Sequence, residues 1–277
     1  MTDKIKKFAE TVIRLSKKTC YKINIESDKP TIFDSKFAGL PYWTKDKEYP
    51  TNSDGDKLLL LAQINFDDYK FESPLPNVGM LQFFIDSDDV LGLDFDNPMN
   101  SNGFKVVYHE KIDYSVTEES IKQLGVPSCV EDIDKDAEEF PVEKEHKISF
   151  NKDVDHITYN DKDFNKYFTT VYNMLNDDYI TIDKGFISVL SDDDYDKLSD
   201  ELTSKFIKHK LLGYPFFTQN DPREDEEYSN YILLFQIDSD SEYNIMWGDS
   251  GVCNFFIEEK ALLEKDFSKV LYNWDCC

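Results

Sequence analysis

One block of this chain occurs twice, and that repeat constrains the fold more than any single motif. "GLPYW", beginning at Gly39, leads into "LLLLAQIN", and "GYPFF", beginning at Gly213, leads into "YILLFQID". Gly39, Pro41 and Trp43 correspond to Gly213, Pro215 and Phe217; Gly39 precedes Gln63 by 24 positions and Gly213 precedes Gln236 by 23. Downstream, Gly79 leads Phe83, Phe84 and Ile85, and Gly251 leads Phe255, Phe256 and Ile257 with the same four-residue step. Each copy reads as a Gly/Pro corner, a buried strand ending in an acidic turn, and a second strand that pairs antiparallel with the first. A corner used twice is a folding device before it is a binding loop, so Trp43 counts as a ligand contact only if it stands exposed beside a cleft.

The remaining pattern fits around these units. Ile5, Phe8, Ala9, Val12 and Ile13 have helical spacing with lysines opposite, which predicts an opening helix. "YKINIE" from Tyr21 and "FKVVYHE" from Phe104 read as strands, and "EHKISFNKDVDHITY" as further strand material. Phe164, Tyr167, Phe168, Val171 and Tyr172 predict a second helix. Tyr195, Leu198, Leu202 and Phe206 predict a third over 191–208, with Asp192 to Asp194 at its positive end, Lys205, Lys208 and Lys210 near its negative end, and Gly213 ending it. Val116 to Glu145, including "EDIDKDAEEF", is acidic surface, either loop or solvated helix face. The expected class is α+β: an internally duplicated arrangement of mostly antiparallel sheets with packed helices. Residues 1–277 would form one domain of two similar halves, with repeat cores at approximately 36–110 and 210–274.

Charge narrows the function classes. Fifty-six acidic residues against 31 basic ones give a net charge of −25, a field that repels phosphate backbones and anionic headgroups and suits a basic protein partner. Nucleic acid and membrane are therefore not expected partners, and no apolar run approaches the roughly 18 residues of a membrane span. The five cysteines, Cys20, Cys129, Cys253, Cys276 and Cys277, have no metal-finger spacing, and "MTDKIKKFAETVIRLSKK" lacks an apolar signal core, so a cytoplasmic protein with reduced thiols is expected.

Candidate chemistry is sparse. His109, His146, His156 and His209 fall in no metalloprotease pattern, and no nucleotide-loop or nucleophile-elbow motif occurs. "DSDSEYNIMWGD" offers Asp238, Asp240, Glu242 and Asp249 at the first, third, fifth and twelfth places of a calcium-loop count. Tyr243 occupies the sixth place, where that loop needs glycine, so these are weak metal candidates and no metal or other cofactor is expected. "DSDDVLGLDFDN" offers Asp86, Asp88, Asp94 and Asp96 but reads better as a hairpin turn. Gln63 and Gln236, in apolar strands, need partners for their amides and are ligand-binding candidates alongside Trp43 and Asp249, their plainer role being a bond to a neighbouring corner.

The segments "AGLPYW", "EYPTNSDG", "LLLLAQINF", "GMLQFFID", "GLDFDNP", "LLGYPFFTQNDPR", "LLFQIDSD", "IMWGDSGVCNFFI" and "DFSKVLYNWDCC" resemble the YwqG-like family, a domain of unknown function. The resemblance spans nearly the whole chain and is weakest in the acidic centre. It implies an α+β fold with an internal duplication and no particular reaction; some relatives look associated with bacterial toxin and immunity loci, which implies an immunity-like, protein-binding role. The expected function is a non-enzymatic binding or protein-interaction module. The alternative is an enzyme with carboxylates and a histidine in a cleft between the halves.

Overall fold

The computed structural model describes residues 2–132, 140–203 and 207–276. Residues 133–139 of the central acidic stretch, with Lys205, Phe206 and Cys277, lie outside these residues. Ten strands form one sheet in which every pairing is antiparallel, in the order β10-β9-β8-β7-β1-β6-β2-β3-β4-β5. They are β1 (Lys18–Ile25), β2 (Lys36–Phe37), β3 (Leu59–Asn65), β4 (Met80–Ile85), β5 (Phe104–His109), β6 (His146–Asp155), β7 (Lys210–Leu212), β8 (Tyr231–Asp238), β9 (Val252–Glu258) and β10 (Val270–Asp275). Five α-helices are described: α1 (Thr2–Leu15), α2 (Glu118–Gln123), α3 (Phe164–Leu175), α4 (Asp192–Thr203) and α5 (Glu259–Glu264).

The centre of the sheet is the long pair β1 and β6, in register from Lys18↔Asp155 to Ile25↔Ile148. Outward from it the connections cross. The corner strand β2 of the first repeat pairs with β6, which precedes the second repeat; β7 of the second repeat pairs with β1, which precedes the first. Beyond them, β3–β4 and β8–β9 each carry one register shift, at Leu60/Ala62 and at Leu233/Phe235. A bulge of this kind tightens the twist of a strand, and here both fall two or three residues before the strand glutamines.

That curvature brings the two ends of the sheet together, giving a nearly closed barrel. The Phe104 ring on β5 lies 5.1 Å from Tyr272 on β10. The Tyr272 hydroxyl donates to Leu91 O (2.9 Å), Trp274 Nε1 donates to Val90 O (2.7 Å), and the Tyr272 N–H donates to Pro98 O, so the loop after β4 seals the edge of β10. Inside, Phe83 packs at 4.8 Å from Phe235 and 4.9 Å from Phe255, joining the apolar faces of both repeats in one core. A second cluster lies under the helices, where the apolar stripe of α1 (Phe8, Ala9, Val12) meets α3 and α4, with Phe8 5.0 Å from Phe168.

Gly79 and Gly251 hold the hairpin strands at their closest approach. A Cβ on Gly79 would stand 2.2 Å from His109 O, and one on Gly251 2.0 Å from Asp275 O, so neither position admits a side chain without moving backbone.

The third helix ends earlier than its apolar spacing predicts. Gly213 does not terminate it, because Lys210–Leu212 run as β7 along the open edge of β1 at Cys20–Lys22. Strands of two and three residues leave no periodicity to read, which is why β2 and β7 escape sequence analysis. Among the described residues no helix is long and apolar enough to cross a membrane.

Candidate functional site

The corner "GLPYW" folds over a closed polar network. Gln63 Oε1 accepts from the Tyr42 N–H (2.9 Å) and from Gln82 Nε2 (2.9 Å), while Gln63 Nε2 donates to Ile32 O and Asp34 O, both at 2.9 Å. Gln82 Nε2 also donates to Tyr42 O (2.7 Å), which leaves its Oε1 to accept from His109 Nε2 at 2.9 Å. Every donor and acceptor of Gln63 is thereby used, the condition under which a buried amide is not destabilising. Trp43 is 2% exposed, set edge-on against Tyr49, Phe84 and His109, with its Nε1 donating to Lys47 O. It lines neither of the clefts described below.

The second corner repeats this wiring with shorter parts. Gln236 Oε1 accepts from the Phe216 N–H (2.8 Å), its Nε2 donates to Lys208 O (2.6 Å), and Asn254 Nδ2 donates to Phe216 O (2.9 Å). Asn254 stands where the first copy has Gln82, and its buried Oδ1 has no partner.

Burial lowers the His109 pKa from 6.5 to about 4, so the ring is neutral in the fold. The unfolded chain then binds the proton more tightly than the native one between those values. The contribution is complete above pH 6.5, declines as the pH falls, and is lost as it passes through about 4, roughly 3 kcal/mol in all. In urea titrations at pH 7 and pH 4, His109→Gln should lose about 2 to 3 kcal/mol less than the parent chain; equal losses would exclude His109 as the acid-sensitive group.

The other sequence candidates do not converge. Gln236 is fully buried, and Asp249 stands in an exposed turn. Asp240 Oδ1 accepts from the Glu242 N–H, and its Oδ2 faces Lys208 Nζ and His209 Nε2, each at 3.6 Å; the His209 side chain and these neighbours hold the carboxyl at about 2. Burial raises Asp238 to about 7. Among the described residues no three His, Cys, Asp or Glu side chains are grouped to hold a metal ion. Burial raises Cys20 to about 12 and pushes Cys253 and Cys129 up as well, the reverse of an activated thiol.

Among the described residues, two surface clefts bear on the candidates. The first, about 870 Å³, is lined by Ile32, Lys36 and Leu40 together with Ile245 and Met246. Lys36 is 1% exposed; its Nζ donates to Leu40 O (2.5 Å) and lies 4.0 Å from Glu145 Oε2, whose other oxygen pairs with Lys29 at 3.2 Å. None of the four histidines lines this cleft, so the carboxylate and histidine site expected there is instead a carboxylate and lysine pair. Sequence reading missed Lys36, although its signal was present: a lysine stands three residues before the corner glycine in both copies, as Lys36 and Lys210.

The second cleft is an open groove of about 820 Å³ beside the 86–103 loop, lined by Asp54, Asp56, Asp86, Asp88, Asp94 and Asp96 and, among the described residues, by no lysine or arginine. Three of these carboxylates brace the loop. Asp86 accepts from Asn52 Nδ2 and the Ser87 N–H, Asp88 from the Gly92 N–H, and Asp94 from Asn100 Nδ2 and the 96 and 97 amides. The bond from Asn100, with those amides, holds the Asp94 carboxyl below its usual range, so it stays charged. The stretch "DSDDVLGLDFDN" lies in the connection between β4 and β5 and presents its charge outward.

The family model for a domain of unknown function (DUF1963) matches residues 35–276. The chain belongs to this family. The matched span takes in both corners, the aspartate-lined groove, β2 to β10 and most of the first cleft, whose Lys29, Pro30, Thr31 and Ile32 precede it together with α1 and β1. No curated protein matches the chain.

Proposed function

We propose that this family member is a non-enzymatic binding module for a basic protein segment, received in the aspartate-lined groove. The observation that carries this reading is the groove itself: six aspartates, no basic side chain among the described residues on its walls, and Phe95 beside them at 74% exposure. An arginine or lysine laid across that ring meets the face of an aromatic and a ring of carboxylates together, a contact worth about 0.5 to 1 kcal/mol for the cation–π part alone at an exposed site. The −25 net charge adds long-range attraction for the same partner and speeds encounter at low salt. In the same reading, residues 1–277 are one domain made of two copies of a unit, YwqG-like in kind and cytoplasmic, with an immunity-like role. Support for the duplication comes from the paired corner glycines, the paired strand glutamines bonded to the corner backbone, and the paired bulges.

The test uses the carboxylates that brace nothing. Asp54→Asn, Asp56→Asn and Asp96→Asn together should leave the fold intact and reduce retention of a basic partner from lysate at low salt by about tenfold, at roughly 0.5 kcal/mol per charge. Retention by the parent chain should vanish at high salt. Equal retention by parent and variant would remove the groove from the reading, and failure of the parent to enrich any basic protein would remove the partner.

A further inference from the structure

Lys36 and Lys210 occupy matched positions, and both are almost completely covered, yet their surroundings differ. Lys210 Nζ donates to Asp155 Oδ2 at 2.8 Å; that carboxylate is itself buried, takes the Tyr214 N–H as well, and lines neither cleft. This is a closed structural pair. Lys36 Nζ has a backbone carbonyl at 2.5 Å, while its nearest carboxylate, Glu145, stands off at 4.0 Å, drawn toward Lys29. Both Lys36 and Glu145 form part of the wall of the first cleft, among Ile32, Leu40, Leu60 and Ile245.

Burial lowers the Lys36 amine to about 8, against the opposing influence of Glu145, Glu118 and Asp34; Lys29 acts in the same direction as burial. Lys147, across the strand pair, is occupied by Asp34 at 2.8 Å. At pH 7 about a tenth of such an amine is unprotonated, some hundreds of times the fraction in an exposed lysine.

We propose that Lys36 is an amine that condenses with the carbonyl group of a small aldehyde or ketone held in this cleft. The neutral Nζ attacks the carbonyl carbon. A C–N bond forms as the C=O π pair moves to oxygen, and that oxygen takes up the proton that Nζ releases, passed by the Glu145 carboxylate. The carbinolamine nitrogen then gives up its remaining proton, again relayed by the Glu145 carboxylate, to the departing hydroxyl, which leaves as water while the nitrogen lone pair closes the C=N bond. Amine and carbonyl become imine and one water, with no oxidant or reductant. The site is separate from the aspartate groove and holds whether or not that groove binds a basic partner.

The probe is hexanal, with cyanoborohydride added to reduce any imine and peptide mapping to locate the hexyl group. In the parent chain at pH 7, Lys36 should be labelled on the order of tenfold or more faster than exposed Lys260, with Lys210 unlabelled. The labelling rate at Lys36 should reach half its maximum near pH 8, while surface lysines continue to gain well above it. Lys36→Arg should keep the positive charge and lose the fast label. A purely structural lysine behaves like Lys210, so Lys36 remaining unlabelled, or labelled no faster than Lys260, overturns the proposal. Both results are read on the parent chain and need no variant to fold.

Discussion

Arg223→Met is expected to lower the free energy of unfolding by about 3 to 5 kcal/mol, the largest loss of any single substitution considered. The guanidinium is buried and forked between two buried carboxylates. Nε donates to Asp221 Oδ1 (2.9 Å), while Nη2 donates to Asp221 Oδ2 (2.6 Å) and to Asp161 Oδ2 (2.8 Å). Nη1 reaches Tyr231 O at 3.3 Å, and the charged plane lies 4.8 Å from the centre of the Phe256 ring. Burial already pushes the Asp161 carboxyl up despite the arginine beside it. With the arginine gone, two carboxylates face each other without a cation and must take up protons or water. Urea unfolding of Arg223→Met, and of Arg223→Met with Asp161→Asn and Asp221→Asn, checks this. The triple variant should recover more than half of the loss, since what costs most is the unpaired charge. A single variant within 1 kcal/mol of the parent would show that water reaches the cluster.

Lys210→Met should cost about 3 kcal/mol, and Lys36→Met distinctly less, although the two lysines match in sequence position. The reason is the acid each leaves behind. Asp155 is 2% exposed and keeps its carboxylate among β1, β6 and the second corner, where Tyr214 and His156 amides are its remaining donors. Glu145 is 27% exposed, retains Lys29, and can turn to solvent. Adding Asp155→Asn to Lys210→Met should restore most of the stability. Equal losses for the two single variants, measured by the same denaturant titration, would refute the asymmetry between the corners.

Much of the sheet was legible in the chain because its strands are apolar on both faces or alternate cleanly. Leu59 to Asn65 and Met80 to Ile85 are buried at every position, and their order, pairing and Gly-to-Phe spacing were readable without coordinates. The crossing of β2 onto β6 and of β7 onto β1 was not, since it depends on two- and three-residue strands whose partners are set by long-range closure of the barrel. The site was less legible still. Gln63 and Gln236 announced themselves as polar groups in apolar runs, and the structure gives them corner backbone as partners. Lys36 gave no such signal by itself, because a lysine beside a turn ordinarily points to water, and only the fold buries it. Four of the six aspartates of the groove stand in one stretch, "DSDDVLGLDFDN", and only the fold adds Asp54 and Asp56 to them.

The crossed strands have a consequence for how the molecule is made. Cys20 in β1 has Asp153 on one side and Leu212 on the other, so its second neighbour is translated about 190 residues after it. At about 5 to 20 residues per second, that leaves an open β edge on the emerging chain for roughly 10 to 40 seconds. An unpaired edge is a template for other chains, and β1 has charge at intervals to discourage them, in Lys18, Lys22 and the flanking Glu26. β1 cannot be covered on both sides until the chain has been made as far as Leu212, which makes the order of synthesis, as well as the finished contacts, part of what this sequence must survive.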